Sequence, residues 1–304
     1  MWATAVQATP SCPVIDAYAV VARTAQATAA LSPEAQVMAF KTSVIATRPG
    51  LYAQTVFELT PGPLMDTLIL RSLADARSAP DRPALTRRMG ALVADASQAF
   101  AAQFPDFRCD FPVYLTDALG QLDGAGRRVD GRPALVLGID ALDHEQTQIA
   151  LPVFVAHEMF HRYHQQAAGF SDDLAERQPI WRTLWAEGLA TYASEALTPG
   201  ATRAEALMLP RDLEAKAAPM TATLAADLLN HLDETNPEVF TTYFTFGNKA
   251  VAARGLPWRS GYYLGYRVAQ ALARRHSLDA LAHLQGEPLH AEITAALQAL
   301  ATGR

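Results

Sequence analysis

Two histidines stand four residues apart in His157-Glu158-Met159-Phe160-His161, with a glutamate directly after the first. On an α-helix that spacing puts both imidazoles on one face, about one 5.4 Å turn apart. Two imidazoles so placed suit two positions of one tetrahedral Zn2+ ion. The glutamate between them then faces the ion's water as a general base. At this chain's histidine and glutamate frequencies, chance supplies the pattern about once in a hundred sequences. Val155-Ala156 and Met159-Phe160 are apolar, as a buried helix requires, while Arg162 just past the second histidine fits that less well. The competing account is a solvent-exposed helix that happens to carry two histidines.

A catalytic zinc needs a third protein ligand and one open position. In the pattern HExxHxxGxxH the third histidine would fall at 167, which is Ala167, and the glycine position holds His164; that class is excluded. The better candidate is Glu187 in Trp185-Ala186-Glu187-Gly188-Leu189-Ala190-Thr191-Tyr192, amid the apolar residues Trp181, Leu184, Trp185, Leu189 and Tyr192. A carboxylate in so apolar a helix needs a partner, and a zinc ion is one. An arginine partner or a solvent-facing glutamate is the alternative. His164 shares a face with His161, so ligation is sterically possible. The stronger expectation places it outside the ligand set, at the helix end, where a positive group suits the dipole.

Peptide hydrolysis at such a centre also needs a donor opposite Glu158 for the developing oxyanion. The segment Gly261-Tyr262-Tyr263-Leu264-Gly265-Tyr266-Arg267 offers Tyr262 for that task, with Arg267 a weaker candidate. Tyr262 and Tyr266 lie at i, i+4, and Gly261 and Gly265 permit another element to approach closely. Aromatic residues at helical spacing also commonly serve as core.

The elements that must position these residues are mostly helical. Ala-rich amphipathic stretches run over 14–31, 33–47, 64–76 and 82–104, with Ser32-Pro33 reading as an N-cap followed by proline at the first helical position. Residues 110–116 and 134–140 read as two short strands, and the Gly- and Asp-rich 117–133 as a loop or hairpin between them. Asp143 and Glu145 suit a helix start, and Pro152 either kinks that helix or opens a second one. A polar break at 169–180 precedes a helix at 183–197, and further helices are expected at 203–217, 221–234, 237–253, 260–275, 277–285 and 288–301. The expectation is an α+β chain, predominantly α-helical, with a small sheet next to a zincin-like helix pair. Its helical N-terminal region would span 1–108 and its catalytic region 109–304, packed as one compact unit.

Composition narrows the function. Half of the 304 residues are hydrophobic and 18% charged, the balance of a globular enzyme. A net charge of −6 gives no basic field for nucleic acid, and no apolar run approaches the roughly 20 residues of a membrane helix. No basic n-region or apolar h-region opens the chain, so a cytoplasmic protein and an exported chain without its leader both remain. Cys12 and Cys109 lack any CxxC spacing. They form either one disulfide, which favours an extracytoplasmic home, or two unrelated buried thiols.

HExxH followed by W-x-E-G-x-A-x-Y resembles the gluzincins. The set LGID, HEMFHRYH, WAEGLATY and GYYLGYRVAQAL is similar to a bacterial family of predicted zinc-dependent proteases, over about residues 110–275. The resemblance implies a metallopeptidase with His157, His161 and Glu187 as ligands and Glu158 as general base. It also implies that 134–140 is the edge strand beside the cleft, to which an extended peptide could add. Thermolysin-type enzymes carry an aspartate four residues after the ligand glutamate. Here that residue is Thr191, so the outer shell must be built differently. The glycine-rich Met-Glu-Asn motif of the large aminopeptidase branch is absent. The expected function is zinc-dependent hydrolysis of peptide or protein substrates. The alternatives are a catalytically silent zinc-bearing module and a metal-free helical binding protein. Oligomeric state is not readable.

Overall fold

A computed structural model describes residues 11–170 and 178–303. The central part of the expected polar break, 171–177, lies outside them. Helix accounts for 62% of the structure, joined by one four-stranded mixed sheet, so the class is α+β and predominantly α. The chain divides into two compact units, Met1–Gln146 and Thr147–Arg304. The sheet belongs to the first and the HExxH segment to the second.

In the first unit the strands are β1 (Val14–Asp16), β2 (Val113–Thr116), β3 (Gly124–Val129) and β4 (Arg132–Gly138). Their order is β1-β2-β4-β3, with β1, β2 and β4 parallel and β3 antiparallel to β4. Ala134 to Leu137 are fully buried, the continuous apolar run of a strand covered on both faces. β4 is therefore interior, bonded on both sides. This corrects the expectation of an edge strand at 134–140, because no backbone group there is left to pair with a peptide. β3 and β4 are joined by Asp130-Gly131, both at positive φ (50° and 74°), the two-residue turn whose twist matches a hairpin.

Two more boundaries differ from expectation for physical reasons. Val14–Asp16 is a strand rather than the start of a helix, since pairing with Val113–Leu115 overrides its local helical pattern. The helix after β4 starts at Ile139, not Asp143. Asp140 on its first turn accepts the Ala118 and Gly120 amides, both at 2.7 Å, and so closes the loop after β2. Cys12 and Cys109 precede the paired strands β1 and β2. Strand pairing brings them together as a disulfide with Cα atoms 4.7 Å apart.

Helices cover most of the first unit. Ser32 caps the 33–40 helix through the Ala35 amide, and Pro33 occupies its first turn. Long helices span Pro63–Ser78 and Arg82–Gln103, and the latter packs on β1 and β2.

Among the described residues, every regular element of the second unit is a helix. Pro152 lies in the first turn of a new helix, Leu151–Ala168, which ends at Gly169 in the left-handed region. Its neighbour Ile180–Leu197 packs against it and against Ser260–Leu272. Two expected helices are broken. The 203–217 stretch is interrupted around Leu209-Pro210, where proline cannot sit in a helix interior, and 237–253 is interrupted at Gly247, which takes φ 71°. Among the described residues no helix is long and apolar enough to cross a membrane.

Candidate metal centre

The 151–168 helix presents His157 and His161 on one side, as the four-residue spacing dictates. Their Nε2 atoms are 3.1 Å apart, and each lies 3.4 Å from Oε2 of Glu187 on the 180–197 helix. Three ligand atoms thus form a nearly equilateral triangle. A tetrahedron with metal–ligand bonds of 2.0–2.1 Å has edges of about 3.3–3.4 Å. Glu187 Oε2 is buried and accepts no hydrogen bond, so a cation is the partner its position calls for. His157, His161 and Glu187 could therefore hold one metal ion. Glu187 stands with the two histidines rather than with an arginine, its Oε2 buried and its side chain 22% exposed.

Burial first, and then the neighbouring charges of His161 and Arg259, depress the His157 pKa to about 4, against a pull upward from Glu187. The ring is consequently neutral at pH 7 with a lone pair to give. Burial alone would raise the Glu187 carboxyl. His161 and His157 reverse that and hold it well below the ordinary value, so it is a carboxylate. His157 thus offers a neutral nitrogen and Glu187 an anionic oxygen. His157 Nδ1 is buried without a hydrogen-bond partner. Thr191, in the position of the thermolysin-type aspartate, donates to the Glu187 carbonyl at 2.7 Å and so braces the helix instead.

Glu158, between the two histidines in sequence, is 9% exposed. The Tyr262 ring lies parallel to that of His157, with centroids 6.4 Å apart. Burial, and then the negative charges of Glu187 and Glu158, push the Tyr262 phenol upward, which keeps it a hydrogen-bond donor near both carboxylates. Tyr262 thus stands beside His157 of the triangle, and Glu158 is near enough for its charge to act on the phenol.

Other expectations fall elsewhere. His164 is not a cationic group at the helix end: it is fully buried, stacked on Phe170 at 4.2 Å, and burial lowers its pKa to about 3. Both of its ring nitrogens are without hydrogen bonds, and it is no part of the triangle. Arg267 donates to the Tyr263 hydroxyl at 2.8 Å, and Tyr266 to Glu195 at 2.6 Å, so neither is placed with Tyr262. Arg162 is buried and bonds to Gln165.

The helix pair is set by glycines. A Cβ on Gly265 would stand 2.7 Å from the Gly188 Cα and 2.4 Å from the Leu184 carbonyl oxygen. The Gly265 backbone thus reaches the residue next to Glu187, and it fixes Tyr262 relative to that ligand. One residue was missed by sequence reasoning: Arg259, whose guanidinium lies 3.7 Å above the Tyr262 ring. A signal was available, because an arginine at a helix N-terminus opposes the dipole.

Comparison with family models, with curated proteins and with solved structures finds no match for the chain.

Proposed function

We propose that the chain is a zinc-dependent peptidase, with His157, His161 and Glu187 as ligands and Glu158 as general base. The observation that supports this reading is the triangle of 3.1, 3.4 and 3.4 Å between three donor atoms, close to the edge lengths a tetrahedral zinc site would have. A zinc ion in such a site supplies Lewis acidity and lowers the pKa of a water from 15.7 to about 7. Glu158 then takes the water proton and returns it to the leaving amine. The Tyr262 phenol, kept protonated beside two carboxylates, donates to the negative oxygen that develops on the substrate carbonyl. Held by His157, His161 and Glu187, such an ion would keep one position open for substrate or water.

Elemental analysis of protein purified without added metal, paired with hydrolysis of a broad peptide library, tests the proposal. One equivalent of zinc and turnover of some peptides are expected. In Glu158→Gln the zinc should stay while hydrolysis falls by at least about 100-fold. Undiminished turnover in that variant removes Glu158 from its role, and a chain that takes up no zinc sinks the reading entirely.

A further inference from the structure

Arg259 is 9% exposed, yet among the described residues no carboxylate lies within 4.0 Å of it. Its backbone is held in the left-handed region (φ 58°, ψ 25°), which is unfavourable for a bulky residue. It also starts the 260–272 helix, where a positive charge opposes the dipole. Three unfavourable terms coincide at one side chain. Its named contacts are with neutral groups: one N–H donates to the Leu209 carbonyl at 2.7 Å, and the guanidinium faces the rings of Tyr262 (3.7 Å) and Phe246 (5.0 Å), with the Tyr262 hydroxyl also in reach. Ring faces attract a cation weakly and do not use its N–H edge. A buried, fixed guanidinium with donors to spare is built for a planar anion, which it takes through two parallel hydrogen bonds.

We infer that Arg259 is the anion-binding residue of this centre and receives a carboxylate of the bound peptide. That the anion belongs to a peptide rests on the peptidase reading; the anion site itself does not. Tyr262 links the two, since its ring meets both Arg259 and the ligand His157. A carboxylate on Arg259 therefore places the adjoining peptide bond beside Tyr262. Two sources share this chemistry, the C-terminal carboxylate of a peptide and an acidic side chain. Phe246, 49% exposed beside the guanidinium, gives an apolar surface at the same place.

The test titrates the full chain, as purified and after chelation, with three probes. N-acetylphenylalanine carries an α-carboxylate, N-acetylphenylalaninamide carries no charge, and N-acetylglutamic acid α-amide carries a side-chain carboxylate. After chelation, at least one acid should bind about tenfold or more tightly than the neutral amide, and raised salt should shrink that gap. The tighter acid identifies the source of the anion. In Arg259→Met the acids and the amide should converge to within about twofold, and Arg259→Lys should recover part of the gap. Equal binding of acids and amide by the chelated wild type overturns the assignment, as does a gap that survives in Arg259→Met. Failure to bind either acid up to about 10 mM does the same. The salt comparison uses the wild type alone, so it decides the matter even if a variant misfolds. Zinc content is measured separately. A chain without zinc that still prefers the acids removes the peptidase reading and keeps the anion site.

Discussion

A buried carboxylate oxygen facing two imidazole nitrogens can be satisfied by a proton on a ring or by a cation. At His157 the first route is weak: the contact is 3.4 Å, and burial holds that ring neutral. The second route uses all three atoms at once. Glu187→Ala should therefore lower zinc affinity by more than about 100-fold in a metal-competition titration, and a fully loaded variant would disqualify it as a ligand. His164 gives the contrast on the same helix. Its ring nitrogens are buried without hydrogen bonds while its faces pack on Phe160 and Phe170. His164→Phe keeps the shape and removes two unsatisfied polar atoms, so it should raise stability by about 1–2 kcal/mol with zinc content unchanged. Loss of zinc in that variant would mean the ring has a role at the centre that the geometry does not give it.

At the scale of elements, the centre depends on how closely two helices cross. Gly265 admits the backbone of Gly188, and a methyl group there would meet main-chain atoms at 2.4–2.7 Å, which cannot rotate away. Gly265→Ala should destabilise the chain by about 1–3 kcal/mol. Because Glu187 and Tyr262 lie on the two crossing helices, zinc affinity should fall with it, although position 265 touches no ligand. Unchanged unfolding and zinc titrations would show that the crossing has slack. These helices were legible because each carries long apolar periodicity with a few chemically distinctive residues: His157, His161 and Glu187 needed only spacing and a buried charge. What escaped was set by partners distant in sequence. β3 is Gly-Ala-Gly-Arg-Arg-Val, with little β-propensity, and becomes a strand through β4 and the Asp130-Gly131 turn. That Asp-Gly pair was the missed clue. β1 is three residues whose extended shape comes from β2, and Arg259 was hidden because its importance lies in what it lacks, a counter-charge, which no window of sequence displays.

At the scale of the whole molecule, the first of the two compact units contains a buried carboxylate whose titration links its stability to pH. Asp117, at the carboxyl end of β2, is fully buried. One oxygen accepts the Leu119 amide at 3.0 Å, and the other has no hydrogen bond. Burial, reinforced by the negative charge of Asp140, raises its pKa to about 7, against opposing help from Ser72, the Leu119 amide and Arg82. Its unfolded value is about 4. Between those values the folded chain binds a proton that the unfolded chain has released, so protonation favours folding. The contribution is fully present below the unfolded pKa and is lost as pH rises through 7, the reverse of a carboxylate in a salt bridge. Between pH 5 and pH 8 the loss should amount to about 2–3 kcal/mol. Asp117→Asn removes the ionisation and keeps an acceptor for the Leu119 amide. Relative to wild type it should therefore gain stability by about that amount across the same interval, read from urea unfolding at the two pH values. Ionisable groups that do not interact with Asp117 contribute equally to both chains and cancel in the difference, which leaves Asp117 and its neighbour Asp140. Parallel pH profiles for wild type and variant would show that Asp117 is ionised throughout, and that its unpaired oxygen is compensated in some other way.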